Sequence, residues 1–232
     1  MLPLPAFILA ADKTVKAMYA PIFPLPSVNL FPEISAAYHI FEPRYVEMIE
    51  SVLQGDGLLA VGVLKPGYED DYYGNPDIQP VGCLGRIQSY EKLENGHYNI
   101  VLEGLYRVGF GKMVKDNPYR VAEMTELPET DRENDFKSER QDLLLRLNYL
   151  VKQAPVELDF SPILGEQESF IALVNLVAKT LPLKNGEQYA LLAMDSIRAR
   201  ANRVLWHIDD QIDTIELLKR IDPKSTDQIS LN

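Results

Sequence analysis

Residues 81–110 read VGCLGRIQSYEKLENGHYNIVLEGLYRVGF, and this stretch decides the fold. Asn95-Gly96 lies between two strand-forming arms, and Asn-Gly supplies the positive φ angles that a two-residue primed turn demands. In the second arm Tyr98, Ile100 and Leu102 share one face by period-two alternation, with Asn99, Val101 and Glu103 on the other. The pattern predicts an antiparallel hairpin with one buried face.

Further strand signals surround the hairpin. YAPIFPLPSVNLFP (19–32) carries prolines that suit an edge or irregular strand, because proline donates nothing to a ladder. LLAVGVL (58–64) is a compact apolar run of buried-strand type, and YRVAEMTEL (119–127) supplies another strand after the break at Asp116-Asn117-Pro118. Short strands separated by turns predict a small barrel or curled sheet.

Near residue 130 the period changes from two to 3.6. The charged segment PETDRENDFKSER is followed by Leu143, Leu144, Leu147, Leu150 and Val151 at helical spacing, with Ser138 and Gln141 as a capping-box pair. Ser161-Pro162 is the expected start of the next helix, whose stripe is Phe170, Leu173, Val174, Val177 and Leu181. Ile197, Ala201, Val204, Ile208, Ile212, Ile215 and Leu218 predict a last helix of about 25 residues. The chain is therefore read as α+β: an N-terminal extension at 1–18, a β-rich unit at 19–127, a helical unit at 128–222 and a tail at 223–232.

The whole chain has 232 residues and a formal net charge of −11, a sign that repels phosphate backbones and anionic headgroups. No nucleic-acid or membrane partner is expected, and no segment reaches the ~18 uninterrupted apolar residues of a membrane span. Cys83 is the one cysteine; in the run VGCLG it reads as a buried thiol, and reducing cytoplasm is the expected location.

Signatures of chemistry are missing from the expected places. GLYRVGFGK has Phe110 where a phosphate-binding loop needs lysine, and neither Gly-x-Ser-x-Gly nor His-Glu-x-x-His occurs. His39, His97 and His207 stand in unrelated contexts, and His207 with Asp210 reads as a solvated helix face. Glu69-Asp70-Asp71 and Asp209-Asp210 lack the spacing of a calcium loop. No catalytic residue, cofactor or metal is expected.

Two regions suggest binding instead. The connection PGYEDDYYGNPDIQP (66–80) sets Tyr68, Tyr72 and Tyr73 among acids and prolines, either as adaptable contacts or as a merely mobile tip. Phe23, Leu25, Phe31 and Phe41 could line an exposed apolar groove or belong to the core. HIFEPRY (39–45) reads as a structural corner: Pro43 opens a helix, Glu42 sits at the positive end of its dipole, and Arg44 forks onto Glu42 or nearby carbonyls.

FPLPSVNLFP, HIFEPRYVEMI, VGCLGRI, NGHYNIVLEGLYRVGF and PYRVAEM follow one another in the order and spacing of the N-terminal, substrate-binding domain of the Lon protease family, which the chain resembles over residues 19 to 220. The motif Phe41, Glu42, Pro43, Arg44 and Tyr45 is a structural part of that resemblance, and LPLKNGEQYALLAMDSIRARANRVL stands where the family places a helix pair. The resemblance implies a PUA-like β-barrel, a helical bundle after it, and a grip on unfolded or hydrophobic polypeptide, in a protein without the family's ATPase and peptidase modules. A non-catalytic module in protein quality control is thus expected, with unfolded polypeptide as partner. Alternatives are an accessory subunit acting in trans with a separate ATP-dependent protease, an unrecognised peptidase, or a PUA-like module for RNA or a small ligand. The last helix could pair with its twin in a homodimer or pack within one chain. The family pattern begins near Met18, so either Met18 is the start in place of Met1 or residues 1–17 add an edge strand.

Overall fold

The computed structural model describes residues 18–28, 30–72, 74–153 and 169–221. The 1–17 extension, the tail from residue 222 and the predicted Ser161-Pro162 helix start lie outside the described residues, as does Tyr73.

The hairpin forms as the alternation demands. Strands β4 (Val81–Lys92) and β5 (Tyr98–Lys115) pair antiparallel, and Tyr98, Ile100 and Leu102 are buried while Asn99 is exposed. Its turn differs from the expected primed type. Gly96 takes φ +82° but Asn95 has no positive φ; the Gly96 N–H donates to the Leu93 carbonyl and the Leu93 N–H to the His97 carbonyl. This is a three-residue loop ending in a left-handed glycine, with the Asn95 side chain accepting from the His97 N–H at 3.1 Å.

β5 is long enough to hold three neighbours. It pairs β4 along residues 98–109, β2 (Ser35–Ile40) along 98–103 and β6 (Arg120–Glu126) along 108–115. β1 (Met18–Leu25) lies between β6 and β3 (Leu58–Val63), antiparallel to the first and parallel to the second. The order β2-β5-β4-β3-β1-β6, with β6 also on β5, closes five strands into a barrel and leaves β2 outside the ring. Of the two readings of the proline-bearing segment, edge or irregular strand, the edge is corrected: β1 has a partner on both sides, and Pro21 and Pro24 are accommodated inside the ring. A strand residue directs its N–H to one neighbour only, so a proline removes one rung without removing the strand.

Alternate residues then fill two layers. Ile22, Ala60, Leu84, Val108, Ala122 and Met124 make the barrel interior, and their sequence neighbours Phe23, Leu59, Val61 and Cys83 face a larger core shared with the helices. A strand buried on both faces needs the uninterrupted apolar run seen at 58–64. Gly104 marks a close approach: a Cβ there would stand 2.0 Å from the Phe31 carbonyl oxygen.

The helices are α1 (Pro43–Leu53), α2 (Lys137–Gln153), α3 (Phe170–Thr180), α4 (Asn185–Ala193) and α5 (Ile197–Ile221). α5 has the expected 25 residues, and all five residues of the predicted α3 stripe are buried. α2 begins before the proposed Ser138 cap, and α3 opens on Ser169, whose hydroxyl accepts from the Ala172 N–H.

Helices and barrel meet at a buried ionic junction. Arg107 of β5 and Arg200 of α5 are both essentially inaccessible and both reach the Glu129 carboxylate, at 3.4 and 3.2 Å. Arg200 also donates to Asn175 Oδ1 and the Leu191 carbonyl, and Asn175 donates to the Pro32 carbonyl. Arg107 donates to the carbonyls of Ala193 and Pro128.

Asp131, two residues past Glu129, caps α5 by accepting from the Ile197 and Arg198 N–H groups at 2.7 and 3.0 Å and from the Ser196 hydroxyl. Partial burial pushes its carboxyl up, but the donors from Arg198, Ile197 and Ser196 together outweigh that and hold it below its ordinary range. A depressed carboxyl gives stability that is complete above its unfolded value and lost as pH falls through its folded one. The stability advantage over Asp131→Asn should be about 1 kcal/mol at neutral pH and should shrink once the pH drops below about 4, read from urea midpoints across pH 3 to 8.

Candidate functional site

β2 runs into the corner HIFEPRY and α1 runs out of it. Glu42 is the residue before the helix, but its carboxylate makes no cap bond; it pairs with Arg44 at 3.0 Å. Arg44 also donates to the Gly74 carbonyl at 3.0 Å and the Tyr72 carbonyl at 3.3 Å, and its guanidinium lies 4.7 Å from the Tyr45 ring centroid. Both partners proposed for this arginine, carboxylate and carbonyl, are thus used at once. Tyr45 is buried against Phe23, and burial, opposed by the Arg44 charge, pushes its phenol up to about 12.

The connection after β3 is consequently tethered. A 3₁₀ turn at Tyr68–Asp71 brings the Tyr68 and Tyr72 rings to 6.1 Å, Leu64 bridges Ile78, and Arg120 holds the Pro76 carbonyl at 2.8 Å. Tyr68 and Tyr72 are half-buried.

The proposed aromatic groove does not form as such. Phe31 is fully buried, Phe23 packs edge-on against Tyr38 and Tyr45, and Leu25 is half-buried against the same core. Burial of those rings is what closes the barrel against the helices, so they are core residues. Phe41 is different: it is 57% exposed.

Around Phe41 lies a surface that the sequence reading missed. The β2–β5 register sets His39 opposite Asn99 and Ile40 opposite Tyr98, which brings Phe41 beside His97 at the hairpin tip. His39 stacks on Phe41 with centroids 6.0 Å apart, and His39 and His97 rings stand at 5.3 Å. The two histidines judged unrelated in sequence are therefore neighbours. Ala37, His39, Tyr90, Glu91, Asn99 and Val101 line part of a shallow depression of about 430 Å³ over this arm.

The edge of β2 adjoins it. The Gly104 N–H donates to the Ile34 carbonyl, so even-numbered residues exchange bonds with β5 and Ser35, Ala37 and His39 direct their backbone groups outward. Lys179 takes the Ser35 carbonyl at 3.3 Å. Among the described residues no strand pairs with this side of β2.

His207 is buried, 3.4 Å from Glu187, not on a solvated face as expected. Cys83 is buried as expected, and burial drives its thiol far above its ordinary range despite the opposing charges of Arg200 and Arg107. Among the described residues no helix is long and apolar enough to cross a membrane.

The model of the ATP-dependent protease La (LON) substrate-binding domain matches residues 19–210. The chain belongs to this family. It is 25% identical over 205 residues to the Lon protease of Desulfosudis oleivorans and 29% identical over 202 residues to Lon protease 2 of Syntrophobacter fumaroxidans, covering 87% and 86% of this chain but 25% of each relative. The chain thus spans about a quarter of the curated relatives it matches, the substrate-binding part and not the protease or ATPase parts. Among solved structures, a Lon N-terminal domain protein from Xanthomonas campestris superposes with a TM-score of 0.59 at 21% identity, over 81% of this chain and 97% of that one. The N-terminal domain of Mycobacterium avium complex Lon protease gives 0.62 at 14% identity, over 83% and 99%. These likenesses establish the fold: a Lon-type barrel followed by helices with a long last one.

Arg44 is the link between corner and loop in this Lon domain. Arg44→Ala should leave α1 folded, since Pro43 and the Tyr45, Met48, Ile49 stripe remain, while amide exchange in the connection after Tyr72 accelerates by about 10- to 150-fold, the range expected for losing charge-assisted bonds of about 1.5–3 kcal/mol.

Proposed function

We propose that this Lon domain is a non-catalytic polypeptide-binding module that takes an extended, unfolded segment as an added strand on β2. The carrying observation is the outward-facing backbone of Ala37 and His39 beside the exposed ring of Phe41. A sheet edge supplies main-chain hydrogen bonds that suit any sequence, and an adjoining aromatic surface rewards apolar side chains at alternate positions. That combination fits a protein that must hold many unfolded clients. Tyr68 and Tyr72, clamped near the same corner by Arg44, extend the surface for longer segments. The family's description as the substrate-binding domain of an ATP-dependent protease supports this reading and makes such a protease the natural recipient of what is held.

Ala37→Pro tests it. The Ala37 N–H points away from β5, so proline there costs the barrel no ladder bond yet removes an outward donor and blocks the edge. Affinity for a fluorescently labelled, permanently unfolded casein should fall at least tenfold while the melting temperature stays within a few degrees. Unchanged affinity in a folded Ala37→Pro variant would refute strand addition on β2.

A further inference from the structure

The open edge of β2 comes to a defined end at a lysine. Ser35, Ala37 and His39 turn their backbone groups outward, but the Ser35 carbonyl already accepts from Lys179 Nζ at 3.3 Å. Lys179 lies half-buried in the last turn of α3, and that carbonyl is the one hydrogen-bonding partner of its ammonium among the described residues. An ammonium has three donors, and here one is used. Burial holds it below the ordinary lysine value, and no neighbouring carboxylate opposes the shift. The end of the edge therefore carries a positive charge without an anion beside it.

Ladder geometry decides what reaches that charge. An antiparallel client exchanges both backbone bonds with His39 and again with Ala37, and its next N–H would aim at the Ser35 carbonyl. Lys179 Nζ occupies that place. A chain that continues must leave the edge there. A chain that ends one residue beyond the partner of Ala37 instead sets a terminal carboxylate oxygen where its next nitrogen would have been, against the ammonium. Side chains stand perpendicular to the sheet, so an acidic side chain is aimed away from this in-plane donor while the backbone terminus is aimed at it. A parallel client would bring its own ammonium terminus to the same point, charge against like charge.

We propose that Lys179 binds the free carboxy-terminus of the client, so that β2 selects extended C-terminal tails, with the penultimate client residue opposite Ala37. The assignment rests on strand addition to β2 and names the part of a polypeptide that is held. It gives the added strand one direction, antiparallel to β2. Terminal segments are the parts of a chain least tied down, which makes them the parts most often presented in extended form.

The test uses the full chain and a short peptide with apolar residues at alternate positions, labelled at its N-terminus and made both as the free acid and as the C-terminal amide. Fluorescence anisotropy should show the acid binding about tenfold tighter, the effect of one charge-assisted hydrogen bond. Lys179→Gln keeps a donor for the Ser35 carbonyl and removes the charge. It should lower the acid to the affinity of the amide and leave the amide unchanged, while Ala37→Pro should weaken both. Equal binding of acid and amide, with both weakened by Ala37→Pro, would overturn the carboxylate assignment and leave strand addition standing. A preference for the acid that survives Lys179→Gln would overturn it as well. Binding of both peptides that Ala37→Pro does not weaken would remove strand addition, and this assignment with it.

Discussion

One strand, β5, sets the plan of the molecule. Its 18 residues must serve β2, β4 and β6, and a strand has only two edges. β4 occupies one edge along residues 98–109, so β2 and β6 divide the other, β2 along residues 98–103 and β6 along 108–115. Register shifts near Gly85, Ser89 and Met113 bend the strands enough for β6 to reach β1 and close the ring. Closure removes the edges of five strands. Among the described residues the sixth keeps one, and that edge lies beside Phe41, His39 and His97.

The second constraint is electrostatic. Two guanidinium groups and one carboxylate are buried where β5, α4 and α5 converge, and further donors end on Asn175 Oδ1 and on the carbonyls of Leu191, Met194, Ala193, Leu127 and Pro128. Desolvating such ions costs several kcal/mol each, and their attraction offsets this only in good geometry, so the junction is better understood as fixing orientation than as adding net stability. Burial, partly offset by Glu129, lowers Arg200 from its ordinary value, the mark of a charge whose desolvation its partners do not fully offset. With Asp131 capping α5 two residues beyond Glu129, the segment after β6 positions the long helix by charge at two successive points.

Local features were legible in the sequence because short-range geometry decides them. Alternation at Tyr98, Ile100 and Leu102 gave the buried face of the hairpin, helical spacing gave the length of α5, and Pro43 gave the corner. Features that depend on which strands meet were not. The prolines of β1 signalled an edge, but ring closure supplied neighbours on both sides. Phe23 and Phe31 are as apolar as Phe41, and only the packing of helices on the barrel separates two core rings from one exposed one. His39 and His97 are 58 residues apart, and the β2–β5 register alone brings them together. Arg107 and Arg200 carried no signal, since a buried arginine looks like a surface one until its partners are known.

The central claim is that the open edge of β2 receives an extended polypeptide. Residue-resolved amide protection with and without a saturating unfolded client addresses it most directly. The account predicts new protection alternating along the strand, strong at Ala37 and His39 and unchanged at Ala36, Tyr38 and Ile40, whose N–H groups already serve β5. Client binding that left the Ala37 and His39 amides exchanging freely would contradict it.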